Sequence, residues 1–433
     1  MEVEALRASG GLLLFSHISC IVIVMYLVNP TGRVVAIDDL SAYNEWLKKP
    51  SFRKATQEEE DTYRNRLMSM INSEKAEKER QINEAKGLKQ LDGIYLATVS
   101  QGGKDGYGIA SAKIYDNINA LGMPISFHNQ GQPIGLLFHN PYSIINLEND
   151  YLAIFTMFES DKIPDEWIYY LKYADLVIVP SKWCQKVFEK SGIKTTVVPL
   201  GYDDTVFKYE ERYIKRDKKE VFTFLHFNSF DVRKGFREVF QAFTEEFDKT
   251  EPVKLVLKTR LNSIPLPITP AQYPNIEIIR GTAYDMELVN IIKRSDCLVF
   301  PSMGEGFGIP PLECMATGMP VIVPNAHGIT EYFDPEYMYE AKVEKLTPAL
   351  YYSYKGIDVG KMVQCDVKQL RSQMRYVYEH QEDALAKGKK ASEYVKKWTI
   401  KKSSAELLEV LKKLMEQKPK ERHTKNVLQL EAV

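Results

Sequence analysis

The chain has 433 residues, with 57 Lys plus Arg against 58 Asp plus Glu, 44% hydrophobic residues and 27% charged ones. That length exceeds one ordinary hydrophobic core and suits two domains, and the composition excludes a globally disordered chain. A formal net charge of −1 offers no field for a polyanion, so charge does not point to a nucleic-acid partner, although it leaves one open. Five cysteines, Cys20, Cys184, Cys297, Cys314 and Cys365, are far apart, odd in number and free of any CxxC pair. This usage predicts a reducing, cytoplasmic setting and no structural zinc.

Residues 11–28, GLLLFSHISCIVIVMYLV, are nearly all apolar and long enough to raise a membrane helix, which would make the protein membrane-associated. Glu2 and Glu4 offset Arg7, and no small-residue cleavage site follows, so a cleaved signal is poorly supported. A buried helix is a second reading. A third comes from Asn29-Pro30-Thr31-Gly32, which has the residues of a type I turn between the β-rich runs Tyr26 to Val28 and Arg33 to Ile37. As a hairpin, it would make Met25 a natural start and residues 1–24 a leader.

Residues 25–90 form an accessory segment. DDLSAYNEWLKK reads as a short amphipathic helix, and the stretch from Thr56 to Gly87 as a long charged one. Its apolar positions Tyr63, Leu67, Met70 and Ile71 are too sparse for a core; a solvated spacer and a partner-binding helix both fit.

From Leu91 the pattern alternates short apolar runs with amphipathic helices, as in a parallel sheet wound with helices. GIYLATVS, YLAIFTMF, DLVIVPS and TTVVPLG read as strands, while GYGIASAKIYDNINALG, PDEWIYYLKYA and KWCQKVFEKSGI read as helices; together they outline a domain over 91–205. The same grammar restarts over 206–395. VFTFLHF, VKLVLKT, NIEIIRG, DCLVFPS and PVIVPN are strands, and KGFREVFQAFTEEF, DMELVNIIKRS and PPLECMATG are helices. The fold class is thus α/β, with two doubly wound, Rossmann-like domains facing a cleft and closure expected about residue 205. VKQLRSQMRYVYEH and SAELLEVLKKLMEQ add helices, and residues 396–433 form a C-terminal helix and polar tail.

In an open parallel sheet, ligands sit at the carboxyl ends of strands. PSMGEGFGIPPLECMATG lies at such a place. Gly304, Gly306 and Gly308 would let bare backbone approach a ligand, and the helix start set by Pro310 and Pro311 favours an anion such as a diphosphate. Glu305 and Glu313 would repel phosphates, so they suit hydroxyls on either side of a diphosphate. A helix-dipole role for Glu313 and a solubilising role for Glu305 explain the pair equally well.

The whole stretch PSMGEGFGIPPLECMATGMPVIVPNAHGITEYF resembles the donor-site signature of the retaining GT-B glycosyltransferases of family 4, in which a glutamate, seven residues and a second glutamate follow Pro-Ser. LHFNSFDVRKGFREVFQAF, ADLVIVPSKWCQKVFEKSGI and VVPLGYDDTVF are similar to further family segments in the expected order, so the resemblance covers about residues 91–410. It implies that Glu313 binds the nucleotide ribose and Glu305 the donor-sugar hydroxyls. Lys234 would neutralise the diphosphate, and the backbone of Gly306, Phe307 and Gly308 would hold phosphate and sugar.

The family often carries an Arg six residues before this lysine. Here that position is Asn228, and Arg233 is the candidate to take over its charge, with Lys258 a second candidate. In SQGGKDGYGIAS, Gly106 and Gly108 would line the acceptor cleft, and Glu159 stands near the place of a histidine found in many members. No Asp-x-Asp follows an apolar strand in either domain, and Asp203-Asp204 suits a turn or cap, so no metal and no cofactor is expected. Among the histidines only His226 adjoins a site motif, with a core or loop role as the plainer reading.

The implied activity is metal-independent transfer of a hexose, with retention, from a nucleotide diphosphate sugar to a glycan, lipid or other hydroxyl acceptor. Two alternatives stay open: a transferase acting on a polymer such as modified DNA or protein through the accessory segment, and a sugar-nucleotide-binding scaffold without turnover.

Overall fold

The computed structural model describes residues 25–28, 34–37, 48, 53–54, 56, 93–98, 106–215, 220–228, 231–260, 272–283, 285–354 and 356–420. The chain divides into two compact units, residues 1–89 and 90–433. In the first, β1 (Met25–Val28) pairs antiparallel with β2 (Val34–Ile37), from Val28 opposite Val34 to Met25 opposite Ile37, and also with β3 (Arg53–Lys54). The expected hairpin strands are therefore present. Because residues 25–28 are a strand, a single helix over 11–28 is not what the chain forms. The turn at Asn29-Pro30-Thr31-Gly32, residues 1–24 and the helices expected over 38–90 lie outside the described residues. No helix among the described residues is long and apolar enough to cross a membrane.

The second unit contains both wound domains. The first runs β4 (Ile94–Ala97), α1 (Gly106–Ala120), β5 (Ile125–Ser126), β6 (Ile134–Phe138), β7 (Tyr151–Phe155), α2 (Trp167–Tyr173), β8 (Leu176–Val179), α3 (Lys182–Lys190) and β9 (Thr196–Val197). Its strands form one parallel sheet in the order β5-β4-β6-β7-β8-β9. Unbroken apolar runs such as IGLLF and YLAIF suit this arrangement, because helices cover both faces of a parallel sheet.

The second domain runs β10 (Phe222–Phe227), α4 (Phe236–Glu246), β11 (Val253–Thr259), β12 (Ile276–Arg280), α5 (Asp285–Lys293), β13 (Cys297–Val299), α6 (Ile309–Ala316), β14 (Val321–Val323) and β15 (Tyr339–Glu340). Its parallel order is β12-β11-β10-β13-β14-β15. The order turns between β10 and β13, which opens a crevice at their carboxyl ends. An antiparallel hairpin follows, β16 (Val343–Pro348) with β17 (Lys361–Cys365), and then α7 (Val367–Glu379), α8 (Gln381–Tyr394) and α9 (Ile400–Met415).

The expected strands and helices are all present in both wound domains. Strands β5, β6 and β15, the β16–β17 hairpin and helix α8 are additions to the expected elements. Helix α8 has no broad apolar stripe; it buries Ala384, Gly388 and Ala391, and a Cβ on Gly388 would lie 2.3 Å from the Gly318 carbonyl oxygen. Close packing there replaces side-chain bulk.

The chain crosses between the domains twice, side by side. Tyr202 N–H donates to Trp398 O at 3.1 Å and Ile400 N–H to Tyr202 O at 2.7 Å, so tightly that a Cβ on Gly201 would sit 2.3 Å from the Thr399 carbonyl carbon. Thr399 then caps α9 by accepting from Lys402 N. That helix packs on α1 of the first domain, and Tyr151 Oη donates to Gln417 O at 2.9 Å. The four described cysteines, Cys184, Cys297, Cys314 and Cys365, are buried and unpaired.

Candidate active site

Two loops meet at the crevice between β10 and β13. After β10, Asp231 accepts a hydrogen bond from Arg233 N at 3.2 Å and caps the single 3-10 turn Val232–Lys234. Gly235 ends that turn at φ 72, where a Cβ would stand 2.2 Å from Pro301 O. Both its left-handed backbone and the contact call for glycine. The turn holds Arg233 and Lys234 against the loop after β13.

There Lys234 Nζ lies 2.6 Å from Glu305 Oε1, and Ser302 Oγ donates to the same oxygen at 2.7 Å. Arg233 Nη1 is 3.9 Å from Glu305 Oε2 and donates to Gly304 O at 2.6 Å. Its Nη2 reaches Glu159 Oε1 at 3.3 Å, and Glu159 also accepts from Tyr351 Oη at 3.2 Å. Burial alone would raise the Glu305 carboxyl, but Lys234, Arg233 and the Ser302 hydroxyl overcome it and hold the group at about 2. Lys234 is lowered, by burial first and then by Arg233, with Glu305 opposing. For Arg233, burial is outweighed by Glu159 and Glu305, which raise it.

The glycines of this loop admit neighbouring protein. A Cβ on Gly304 would sit 2.1 Å from Glu159 O, and one on Gly306 would sit 2.6 Å from the Met157 side chain. Ser181 Oγ donates to Gly306 O at 2.8 Å. On those faces the first domain occupies the space in which a ligand was expected. Gly308, at φ 88, precedes α6, and its carbonyl accepts from Tyr332 Oη at 2.6 Å. Phe307 is buried edge-on against Tyr332, with ring centroids 5.6 Å apart.

Glu313 is half-buried in the first turns of α6. Burial pushes its carboxyl up to about 7; Lys113 pulls down, while Asp285 and Asp203 push further up. Lys113 Nζ bridges Asp203 at 3.1 Å and Asp285 at 2.9 Å. Asp203 Oδ1 also accepts from Thr205 N and Oγ1, the turn role expected of it.

Lys258, the penultimate residue of β11, pairs with Phe227, but its ammonium is held on the carbonyls of Gly281 and Thr259. Burial and Arg260 lower it. Asn228 N–H donates to Lys258 O at 3.0 Å, and its Nδ2 is buried with no partner among the described residues. Gly106 opens α1, with none of the described residues within 4 Å of where a Cβ would go, and Gly108, two residues on, is buried. Residues 99–105 of that glycine loop lie outside the described residues.

His226 is buried in β10, donates from Nδ1 to Val299 O at 2.9 Å and is pushed by burial to about 4, which fits the plainer core role. Sequence reading passed over His327. It is buried, has a positive φ of 42 and donates from Nε2 to Ser302 O at 2.9 Å. Its neighbour Gly328 donates to Glu305 O at 2.8 Å, and a Cβ there would meet Gly306 O at 2.1 Å. The NAHG segment within the quoted signature was the available signal. Ser302 and Tyr351 were also passed over. Among the described residues, no three His, Cys, Asp or Glu side chains gather as a metal site would require.

Residues 208–343 match the family Glycosyl transferases group 1. Over 188 residues the chain is 30% identical to "Putative glycosyltransferase ORF313" of Acidianus filamentous virus 1, a match covering 41% of this chain and 54% of that protein. Over 192 residues it is 25% identical to "Uncharacterized glycosyltransferase MJ1059" of Methanocaldococcus jannaschii, covering 41% and 46%. The matches thus span about half the length of these relatives.

Sucrose-phosphate synthase from Thermosynechococcus elongatus is similar in structure, with a TM-score of 0.58 at 14% identity over 75% of this chain and 100% of that one. Anabaena Alr3699/HepE, in complex with UDP-glucose, gives 0.56 at 12% identity over 74% and 99%. The second unit has the GT-B fold, and the match to Glycosyl transferases group 1 falls on its second wound domain.

Proposed function

We propose that the chain is a retaining glycosyltransferase that takes a hexose from a nucleotide diphosphate sugar without a metal ion. The observation that carries this reading is the Lys234–Glu305 pair at 2.6 Å, brought together by two different loops at the switch point of the sheet. An arriving diphosphate draws Lys234 off Glu305, because its negative charge competes for the same ammonium. The freed carboxylate then accepts hydrogen bonds from donor-sugar hydroxyls, and Glu313 accepts from the ribose.

As the bond from the anomeric carbon to the phosphate oxygen breaks, Lys234 stabilises the leaving diphosphate. Arg233, already between Glu159 and Glu305, contributes a second positive charge. The acceptor oxygen bonds to the same face of the anomeric carbon and passes its proton to the leaving phosphate oxygen. No protein nucleophile is needed. HepE in complex with UDP-glucose supports a nucleotide-sugar donor by likeness of fold.

The test is hydrolysis of UDP-, GDP- and ADP-hexoses with a chelator present, followed by NMR assignment of the product anomer. Release of nucleotide diphosphate with the donor's anomeric configuration kept, and its loss in Lys234→Ala, supports the reading. An inverted product removes retention, and a requirement for added metal removes metal independence.

A further inference from the structure

The domain-facing side of the site opens into a cavity of about 460 Å³, within the usual size range for small-ligand sites. Tyr142 and Phe158 of the first domain and Tyr351 and Tyr354 from the segment joining β16 to β17 form its aromatic walls. Phe158 lies against Tyr351 and Tyr354, with ring centroids 5.1 and 5.8 Å apart. The cavity therefore depends on the hairpin as well as the wound domain.

Its polar groups are already ordered. Trp167 Nε1 donates to Tyr142 Oη at 3.1 Å and to Tyr354 Oη at 3.0 Å, while Tyr142 Oη donates to Glu166. Tyr351 Oη donates to Glu159. Phenol and carboxylate oxygens keep lone pairs for incoming hydroxyls. Among the described residues that line the cavity, Arg233 is the only cationic side chain, and two carboxylates, Glu159 and Glu166, face it.

We infer that this cavity binds an uncharged carbohydrate, whose C–H faces lie on the aromatic rings and whose hydroxyl edges meet Glu159, Glu166 and the phenols. This rests on the transferase reading for the ligand's role as acceptor. Excess carboxylate repels phosphorylated sugars, uronic acids and nucleic acid. A lipid tail would strip water from the spare lone pairs of these carboxylates and phenols and give them no donor in return, which disfavours an apolar ligand. The cavity also leads to the donor: Arg233, on its lining, is the same guanidinium that reaches Glu305.

The test is ligand-detected NMR on the full chain without nucleotide. The neutral probes are methyl α-glucoside, methyl α-mannoside, methyl β-galactoside and maltotriose, and the anionic ones are glucose 6-phosphate, glucuronic acid and a DNA oligomer. At least one neutral probe should bind, roughly tenfold more weakly in Tyr354→Ala, while the anionic probes bind worse. Glu166 is exposed, so Glu166→Gln leaves the fold intact and should narrow the gap between methyl α-glucoside and glucuronic acid. Failure of every neutral probe to bind folded protein, preference for an anionic one, or indifference to both substitutions overturns the inference. Neutral-sugar binding in a chain that binds no nucleotide would sink the transferase reading alone.

Discussion

Gly304 and Glu159 meet backbone to backbone across the two wound domains: a Cβ on Gly304 would lie 2.1 Å from the Glu159 carbonyl oxygen. The Glu159 side chain meanwhile reaches Arg233. The loop after β13 and the segment after β7 thus set each other's position. Gly304→Ala should force the loop and β7 apart and cost about 1–3 kcal/mol, as overpacking does. Chemical denaturation measures it; an unchanged midpoint would mean that the contact yields freely.

Replacing Lys234 separates its structural and catalytic contributions. In Lys234→Met, Glu305 keeps Ser302 and a guanidinium contact at 3.9 Å, but loses its 2.6 Å partner. The buried carboxylate is then poorly compensated, and stability should fall by about 2–4 kcal/mol. Lys234→Met with Glu305→Gln should recover most of that loss, because no unpaired charge remains. Neither variant should turn over donor, with losses of about 100-fold or more. Full stability in the single variant would show that the pair carries no structural role.

Glu313 gives a pH signature. Its carboxyl ionises at about 7 in the fold against an ordinary value of 4.5. Between those values the folded chain holds a proton that the unfolded chain has released, so this group's contribution to stability declines as pH rises through the window. Glu313→Gln should flatten that decline relative to the parent chain. Glu305 has the opposite sign: its carboxyl is held at about 2, so its contribution is present above its ordinary value and is lost as pH falls toward 2. Melting curves across pH for Glu313→Gln and Glu305→Gln check the signs, and equal slopes in parent and Glu313→Gln would contradict them.

Arg375 provides a control away from the site. It bridges Glu246 at 2.9 Å and Glu251 at 2.6 Å and lies over the Phe247 ring at 4.4 Å, tying α7 to α4. Arg375→Met should cost about 1 kcal/mol, since its partners remain partly in water. Nucleotide affinity should not change; titration of both chains tests this.

The loop after β13 was legible because its signature lies in consecutive residues. Pro-Ser, three glycines and two glutamates between an apolar strand and helix declare a strand-to-helix turn, and the structure puts that turn at the β10–β13 switch point. The chain from Glu305 through Arg233 and Glu159 to Tyr351 was not legible, because four separate elements supply it. Only the turn capped by Asp231 and closed by Gly235 aims Arg233 at Glu159. The β16–β17 hairpin escaped for another reason. VEKLTP is exposed along nearly its whole length, so no alternation marks it as a strand. Strand β5 is two residues long, and α8 buries small side chains that periodicity in large apolar residues does not register.

In the proposed function Lys234, Glu305 and Glu313 surround a nucleotide diphosphate sugar. The most direct measurement is calorimetric titration of UDP, GDP, ADP and their hexoses, without metal, into the parent chain, Lys234→Ala and Glu313→Ala. One base should be preferred, its diphosphate should bind at least about tenfold more weakly to Lys234→Ala and Glu313→Ala, and Glu305→Gln, titrated in the same way, should weaken the sugar nucleotide more than the bare diphosphate. Absence of binding by any nucleotide to the folded parent chain, or equal binding by all variants, would contradict the proposed function.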